Sequence, residues 1–154
     1  MAQKSCYQRA VDLLARRAHF TAELRAKLQQ RGFEADEVEE TLERLRSYGY
    51  LNETETARLW VEQQLARKPQ GARKLLAGLR SRGVDPDLAS STVDGALPEG
   101  ELEMARRATE RKLPSLRPGD EPALARYLDR LGFGASTVMR MVERARSHGA
   151  DGLD

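Results

Sequence analysis

Residues 24–33, LRAKLQQRGF, set the reading of the whole chain. Leu24 and Leu28 stand four apart and so share one face of a helix. Gly32 follows one turn later, where a left-handed residue can end the helix, and Phe33 can fold back onto the last turn. The same pattern, L-x3-L-x3-G and then an apolar residue, returns as LLAGLRSRGV at 75–84 and LARYLDRLGF at 124–133. The copies lie 51 and 49 residues apart. L-x3-L alone is common in helices, but three copies with matching glycines at one spacing mark a repeat architecture.

Helical patterns flank each copy. Before them come residues 5–18 (Ala10, Val11, Leu14), 53–67 (Ala57, Trp60, Val61, Leu65) and 101–113 (Leu102, Ala105, Ala108). After them come Val38, Leu42 and Leu45, then Ala89, Val93 and Ala96, then Val138, Val142 and Ala145. Four residues past each glycine stands an N-cap type, Asp36, Asp87 or Ser136, expected to open the closing helix of each unit. Asp36 and Glu39 have the spacing of a capping box, and Glu37 and Glu40 add favourable charge at that helix start.

The expected fold is all-α: three tandem three-helix repeats over residues 1–52, 53–99 and 100–154, the last with a short C-terminal tail. GYLNE (49–53) and ALPEG (96–100) punctuate the boundaries, and LPSLRPGDEP (113–122) interrupts the third unit. A unit of ~45 residues buries too little core to stand alone. Neighbouring units should therefore share contacts and give an elongated body with room to curve. Tyr7, Phe33, Tyr48, Tyr50 and Trp60 read as packing residues.

Composition excludes several classes. Ala, Leu, Glu, Arg and Lys, all good helix formers, dominate the 154 residues. Cys6 is the single cysteine, which rules out an internal disulfide and suits a reducing compartment. No apolar run approaches the ~20 residues of a membrane span, and the N-terminus lacks a signal-peptide core. The expectation is a cytoplasmic protein with no membrane partner, acting as a monomer. His19 and His148, the only histidines, do not form a metal-ligand spacing with Cys6. Phosphate-loop and nucleophile motifs are absent. A non-catalytic role is expected, with no catalytic residue, metal or cofactor.

Charge is distributed in blocks. Residues 1–31 carry seven cations against Asp12 and Glu23, and residues 34–55 carry eight anions against Arg44 and Arg46. Between Glu62 and Asp85 there is no acid at all, while 67–83 (RKPQGARKLLAGLRSRG) holds six cations. Read as a helix from Ala72 to about Arg82, this stretch turns Leu75, Leu76 and Leu79 one way and Arg73, Lys74 and Arg80 the other. Arg67 and Lys68 precede it and Arg82 lies at its margin. The first copy repeats part of the pattern with Arg25, Lys27 and Arg31. Such a face suits a polyanion met through its backbone or an acidic protein surface. Nothing resembles a helix set to read base edges.

AVDLLARRAHFTAELRAKLQQRGF (10–33), VEETLERLRSYGYLNETETARLWV (38–61), KPQGARKLLAGLRSRGV (68–84) and ALARYLDRLGFGASTVMRMVE (123–143) together resemble the RecX family of bacterial regulatory proteins. The resemblance spans roughly residues 5–146. Its most specific parts are A-x2-L-L-x-R at 10–16, G-Y-L at 49–51 and K-P-x-G at 68–71. The chain departs from the pattern in Asn52–Glu53, where an Asp pair is usual, and in Thr56, where an aromatic residue is common. The resemblance implies tandem three-helix modules that lie in the groove of the RecA filament and inhibit RecA's ATPase, strand exchange and coprotease activity. It leaves open contact with single-stranded DNA inside that filament. Arg67, Lys68, Arg73, Lys74, Arg80, Arg82, Arg25, Lys27 and Arg31 are the expected partner or DNA contacts. The alternative is a stand-alone DNA-binding regulator using helix-turn-helix-like units.

Overall fold

A computed structural model describes residues 3–151, which form nine α-helices and no strand. They are α1 (Cys6–Arg16), α2 (Thr21–Gln30), α3 (Ala35–Ser47), α4 (Glu53–Arg67), α5 (Ala72–Ser81), α6 (Pro86–Ala96), α7 (Leu102–Lys112), α8 (Glu121–Arg130) and α9 (Ala135–Asp151). A short 3-10 turn, Leu113–Ser115, follows α7. Three separate hydrophobic clusters form, one in each successive set of three helices. Every well-packed helix pair falls within one set. The accessible area is 10027 Å², whereas a compact monomer of this mass would expose about 7,800 Å². The body is therefore extended.

The repeated pattern acts as its chemistry suggests. Leu24, Leu28, Leu75, Leu79, Leu124 and Leu128 are at most 1% exposed. Gly32, Gly83 and Gly132 have φ of 92°, 81° and 87°. Each glycine N–H donates to the carbonyl three residues back, and the next amide reaches the carbonyl of the second leucine. Phe33 N–H donates to Leu28 O, Val84 to Leu79 and Phe133 to Leu128. This is the Schellman closure, in which two orphan carbonyls are satisfied by one left-handed residue.

Three local expectations are corrected. The closing helices begin two residues earlier than the N-cap types suggested. Their first residues are Ala35, Pro86 and Ala135, so Asp36, Asp87 and Ser136 lie inside the first turn and no Asp36–Glu39 capping box forms. The Schellman turn needs only one extended residue after its glycine, which moves the cap position forward to Glu34 and Asp85. In α1 the core face is Cys6, Ala10 and Leu13, while Val11 is exposed. Tyr48 and Tyr50 are 62% and 63% exposed, with ring centroids 6.2 Å apart. They flank Gly49, whose turn buries Leu51 instead.

The units join end to end through the starts of α2 and α5. Neither helix has a side-chain cap of its own. At the first junction the Thr21 N–H donates to Glu53 Oε1 at 2.9 Å. Phe20 inserts into the second unit's core. A Cβ on Gly83 would come within 2.6 Å of the Ala22 Cβ. At the second junction Gly71 N–H donates to Leu131 O at 2.8 Å and Arg73 N–H to Gly132 O at 3.1 Å. Ala72 N–H donates to Glu101 Oε2 at 2.9 Å. The other oxygen of Glu101 accepts from Gly134 N–H at 2.8 Å and Thr137 Oγ1 at 2.9 Å. The end of α5 thus abuts the start of α2, and the end of α8 abuts the start of α5. Negative helix ends meet positive ones. The start of α8 is different. Asp120 accepts from Ala123 N–H, and Pro122 occupies the first turn.

These contacts leave no space for a side chain at Gly71 or Gly132. A Cβ on Gly71 would overlap the Gly132 carbonyl, and one on Gly132 would overlap Lys74. Gly71→Ala should lower unfolding free energy by about 1–3 kcal/mol, the usual cost of overpacking. Gly95→Ala, in α6 with open space around it, should raise it by roughly 0.5 kcal/mol or more. Urea denaturation of the two variants checks the contrast.

Candidate partner and nucleic-acid interface

Seven of the nine expected contact residues are exposed; Arg25 and Lys27 are half-buried. The structure divides them by what they already hold. Arg25 pairs with Glu39 of α3. Lys27 lies 3.8 Å from Glu23 and 3.0 Å from His19 Nε2. Arg73 crosses the second junction to Asp129, with Nη2 at 2.6 Å from the carbonyl and 3.0 Å from Oδ1. The stretch without acids in sequence therefore meets acids in space, Asp129 and Glu101, supplied by the third unit. Arg31, Arg67, Lys68, Lys74 and Arg80 form no ion pair among the described residues. Those five keep their charge for solvent or a partner.

The loop that presents Arg67 and Lys68 is fixed. Pro69 and Gln70 are buried, and Gln70 Nε2 donates to Gln64 O at 3.0 Å and Lys68 O at 3.3 Å. Gly71 then locks to the third unit, so α5 starts at a defined angle. Lys74 packs its Cβ on Gly132 and sends its ammonium outward.

At the first junction a cleft of about 990 Å³ opens between α2, α4 and α5. Arg17, Glu23, Trp60, Arg80 and Arg82 line it. Trp60 is only half-buried. Its ring rim lies where a Cβ on residue 78 would be, so Gly78 is what lets the indole lie down. The Arg82 guanidinium stands 4.7 Å from the ring centroid, a cation–π contact. Arg17 clamps Glu23 through two hydrogen bonds, 2.7 and 3.0 Å. That guanidinium is the main reason the Glu23 carboxyl sits below its ordinary range.

His19, 2% exposed, lies beneath this region. Nδ1 faces the Arg17 carbonyl at 3.0 Å and Nε2 faces the Lys27 ammonium at 3.0 Å. A carbonyl only accepts and an ammonium only donates. The ring is therefore neutral with its proton on Nδ1. Burial, the largest cause, holds its pKa below the ordinary value, against the pull of the Arg17 carbonyl.

The residue patterns did not single out Glu101 or the burial of His19, nor the pairing of Arg82 with Trp60 and of Glu53 with Thr21. Glu53 and Glu101 do carry a signal, since each stands within two residues of the start of a new unit. Among the described residues no group of three or more His, Cys, Asp or Glu is placed to hold a metal ion. No described helix is long and apolar enough to cross a membrane.

Comparison with known proteins bears on this arrangement. Residues 6–45 match the family model described as RecX, first three-helix domain, and residues 52–92 match RecX, second three-helix domain. The chain is 33% identical over 145 residues to the regulatory protein RecX of Amycolatopsis mediterranei, covering 91% of this chain and 83% of that one. It is 31% identical over 143 residues to the RecX of Syntrophotalea carbinolica, covering 89% and 94%. The crystal structure of RecX from Lactobacillus salivarius superposes with a TM-score of 0.78 at 16% identity, over 92% of this chain and 94% of that one. That likeness is one of fold, and its extent reaches into the third unit.

His19 makes stability depend on pH. Its folded pKa is depressed, so between that value and the unfolded value of about 6.5 the unfolded chain binds more protons. Stability therefore falls as pH drops below about 6.5. The paired carboxylates titrate lower still, because Arg17, Arg25, Arg58 and Arg106 hold Glu23, Glu39, Glu55 and Glu103 below their ordinary values. The thermal midpoint should decline between pH 6.5 and 5, and His19→Gln should flatten that decline.

Proposed function

Because the chain belongs to the RecX family of regulatory proteins, we propose that it binds the RecA–DNA filament in its helical groove and restrains RecA. It would lower ATP hydrolysis, strand exchange and coprotease activity, and so modulate recombination, DNA repair and the SOS response. The observation that carries this reading is the set of unpaired cations on a stiffened, extended array. Arg67, Lys68, Lys74 and Arg80 surround the start and outer face of α5, held by the laced second junction. A long body with fixed charges can follow a helical groove, where a compact one would touch it at one place. The protein would act as a monomer.

Two measurements test the reading. Titrated into RecA on single-stranded DNA with ATP, the protein should suppress hydrolysis and shorten filaments. Unchanged hydrolysis and filament length at saturation would overturn it. In the variant Lys74→Ala/Arg80→Ala the salt dependence of filament binding should shallow by about two in log–log slope, one for each lost cation. Arg73→Ala should leave that slope nearly intact, since Asp129 already occupies its charge.

A further inference from the structure

The cleft at the first junction has features that packing alone does not require. Trp60 packs against the edge of the second unit's core and, half-buried, also forms part of the cleft wall. Its orientation is set on two sides. Gly78 gives the indole rim its seat, and Arg82 covers the ring. Arg82 is itself anchored by a hydrogen bond of 2.9 Å from Nη1 to Gly78 O. An indole and a guanidinium are thus stacked before any ligand arrives. Arg80 lines the same cleft, is exposed and has no acidic partner among the described residues. The lining carries Arg17, Arg80 and Arg82 against Glu23 alone, and Glu23 is already clamped by Arg17 and approached by Lys27.

We propose that this cleft binds single-stranded DNA, with one base against the Trp60–Arg82 stack and a neighbouring phosphate facing Arg80. The proposal rests on the filament reading for the source of the strand, and otherwise on the cleft alone. Aromatic and guanidinium planes stack on unpaired bases of any sequence, and cations follow the backbone. A volume of about 990 Å³ has room for more than one nucleotide. Duplex DNA keeps its bases stacked inside and offers the indole nothing to stack on. Gln63 also lines the cleft, and its amide can meet base edges without selecting among them.

Trp60 is the only tryptophan, so its emission reports on the cleft directly. Oligo(dT) of about 15 nucleotides, within the range of single-strand site sizes, is titrated into the protein without RecA. Emission should be quenched saturably, and heparin, which offers charge without bases, should leave it unchanged. Trp60→Leu should weaken oligo(dT) binding, read by anisotropy of a labelled strand, by roughly 5- to 150-fold, the range of one lost stack. Should Trp60→Leu melt early by circular dichroism, Arg80→Glu, an exposed change, should still weaken binding several-fold. Absence of binding, saturable binding with unaltered emission, equal quenching by heparin, or parental affinity in both variants would each overturn the proposal. Loss of quenching with intact inhibition of RecA ATPase would sink the cleft and spare the filament reading. Quenching without any effect on RecA would do the reverse.

Discussion

The Glu101 carboxylate joins the second and third units. It accepts from the Ala72 amide at the start of α5 and from Gly134 and Thr137 at the start of α9. Two helix starts that would leave orphan N–H groups are satisfied by one side chain from α7's threshold. Glycines make the approach close enough. Gly71 and Gly132 bring two backbones together, so that Gly71 and Arg73 donate directly to the carbonyls ending α8. Hydrogen bonds to a charged acceptor are worth about 1.5–3 kcal/mol, and here several share a partly buried site. Each small core gains support that it lacks alone.

The first junction follows the same plan with fewer bonds. Glu53 caps α2 through Thr21, and Phe20 supplies the apolar plug, but among the described residues no backbone bond like that from Gly71 to Leu131 crosses there. That leaves a cleft of about 990 Å³, against one of about 410 Å³ between α5, Glu101 and Gly134 at the second junction. The difference divides the cations into two groups. Arg73 is held by Asp129 as part of the lacing, and Arg25 and Lys27 stabilise the first unit. Arg67, Lys68, Lys74 and Arg80 stay available, beside a cleft whose aromatic wall is already oriented. Paired and unpaired charges thus share a single helix, Arg73 held by its neighbour and Arg80 exposed.

Much of the fold was legible because it rests on local rules. The buried leucines and the positive-φ glycines follow from a ten-residue pattern, and α4 and α5 lie where periodicity puts them. The N-caps were missed because Asp36, Asp87 and Ser136 are good cap types at the wrong distance from a Schellman turn. Tyr48 and Tyr50 read as packing residues, yet both lie exposed on either side of the Gly49 turn. The partners of Arg73 and Ala72 lie 56 and 29 residues away. No periodicity encodes such pairs. The cleft was invisible for a similar reason: Gly78 looks like a flaw in a helix until Trp60 of another helix is laid against it.

The shared cap can be measured by amide hydrogen exchange at the start of α5. The first amides of a helix ordinarily exchange quickly, because they have no intrahelical acceptor. Gly71, Ala72 and Arg73 should instead exchange as slowly as the middle of α5, and Glu101→Ala should release Ala72 and its neighbours without exposing Leu75 or Leu79. If all three amides exchange at the rate of a frayed helix end while the leucine amides stay protected, the junction does not hold the units together and the account fails.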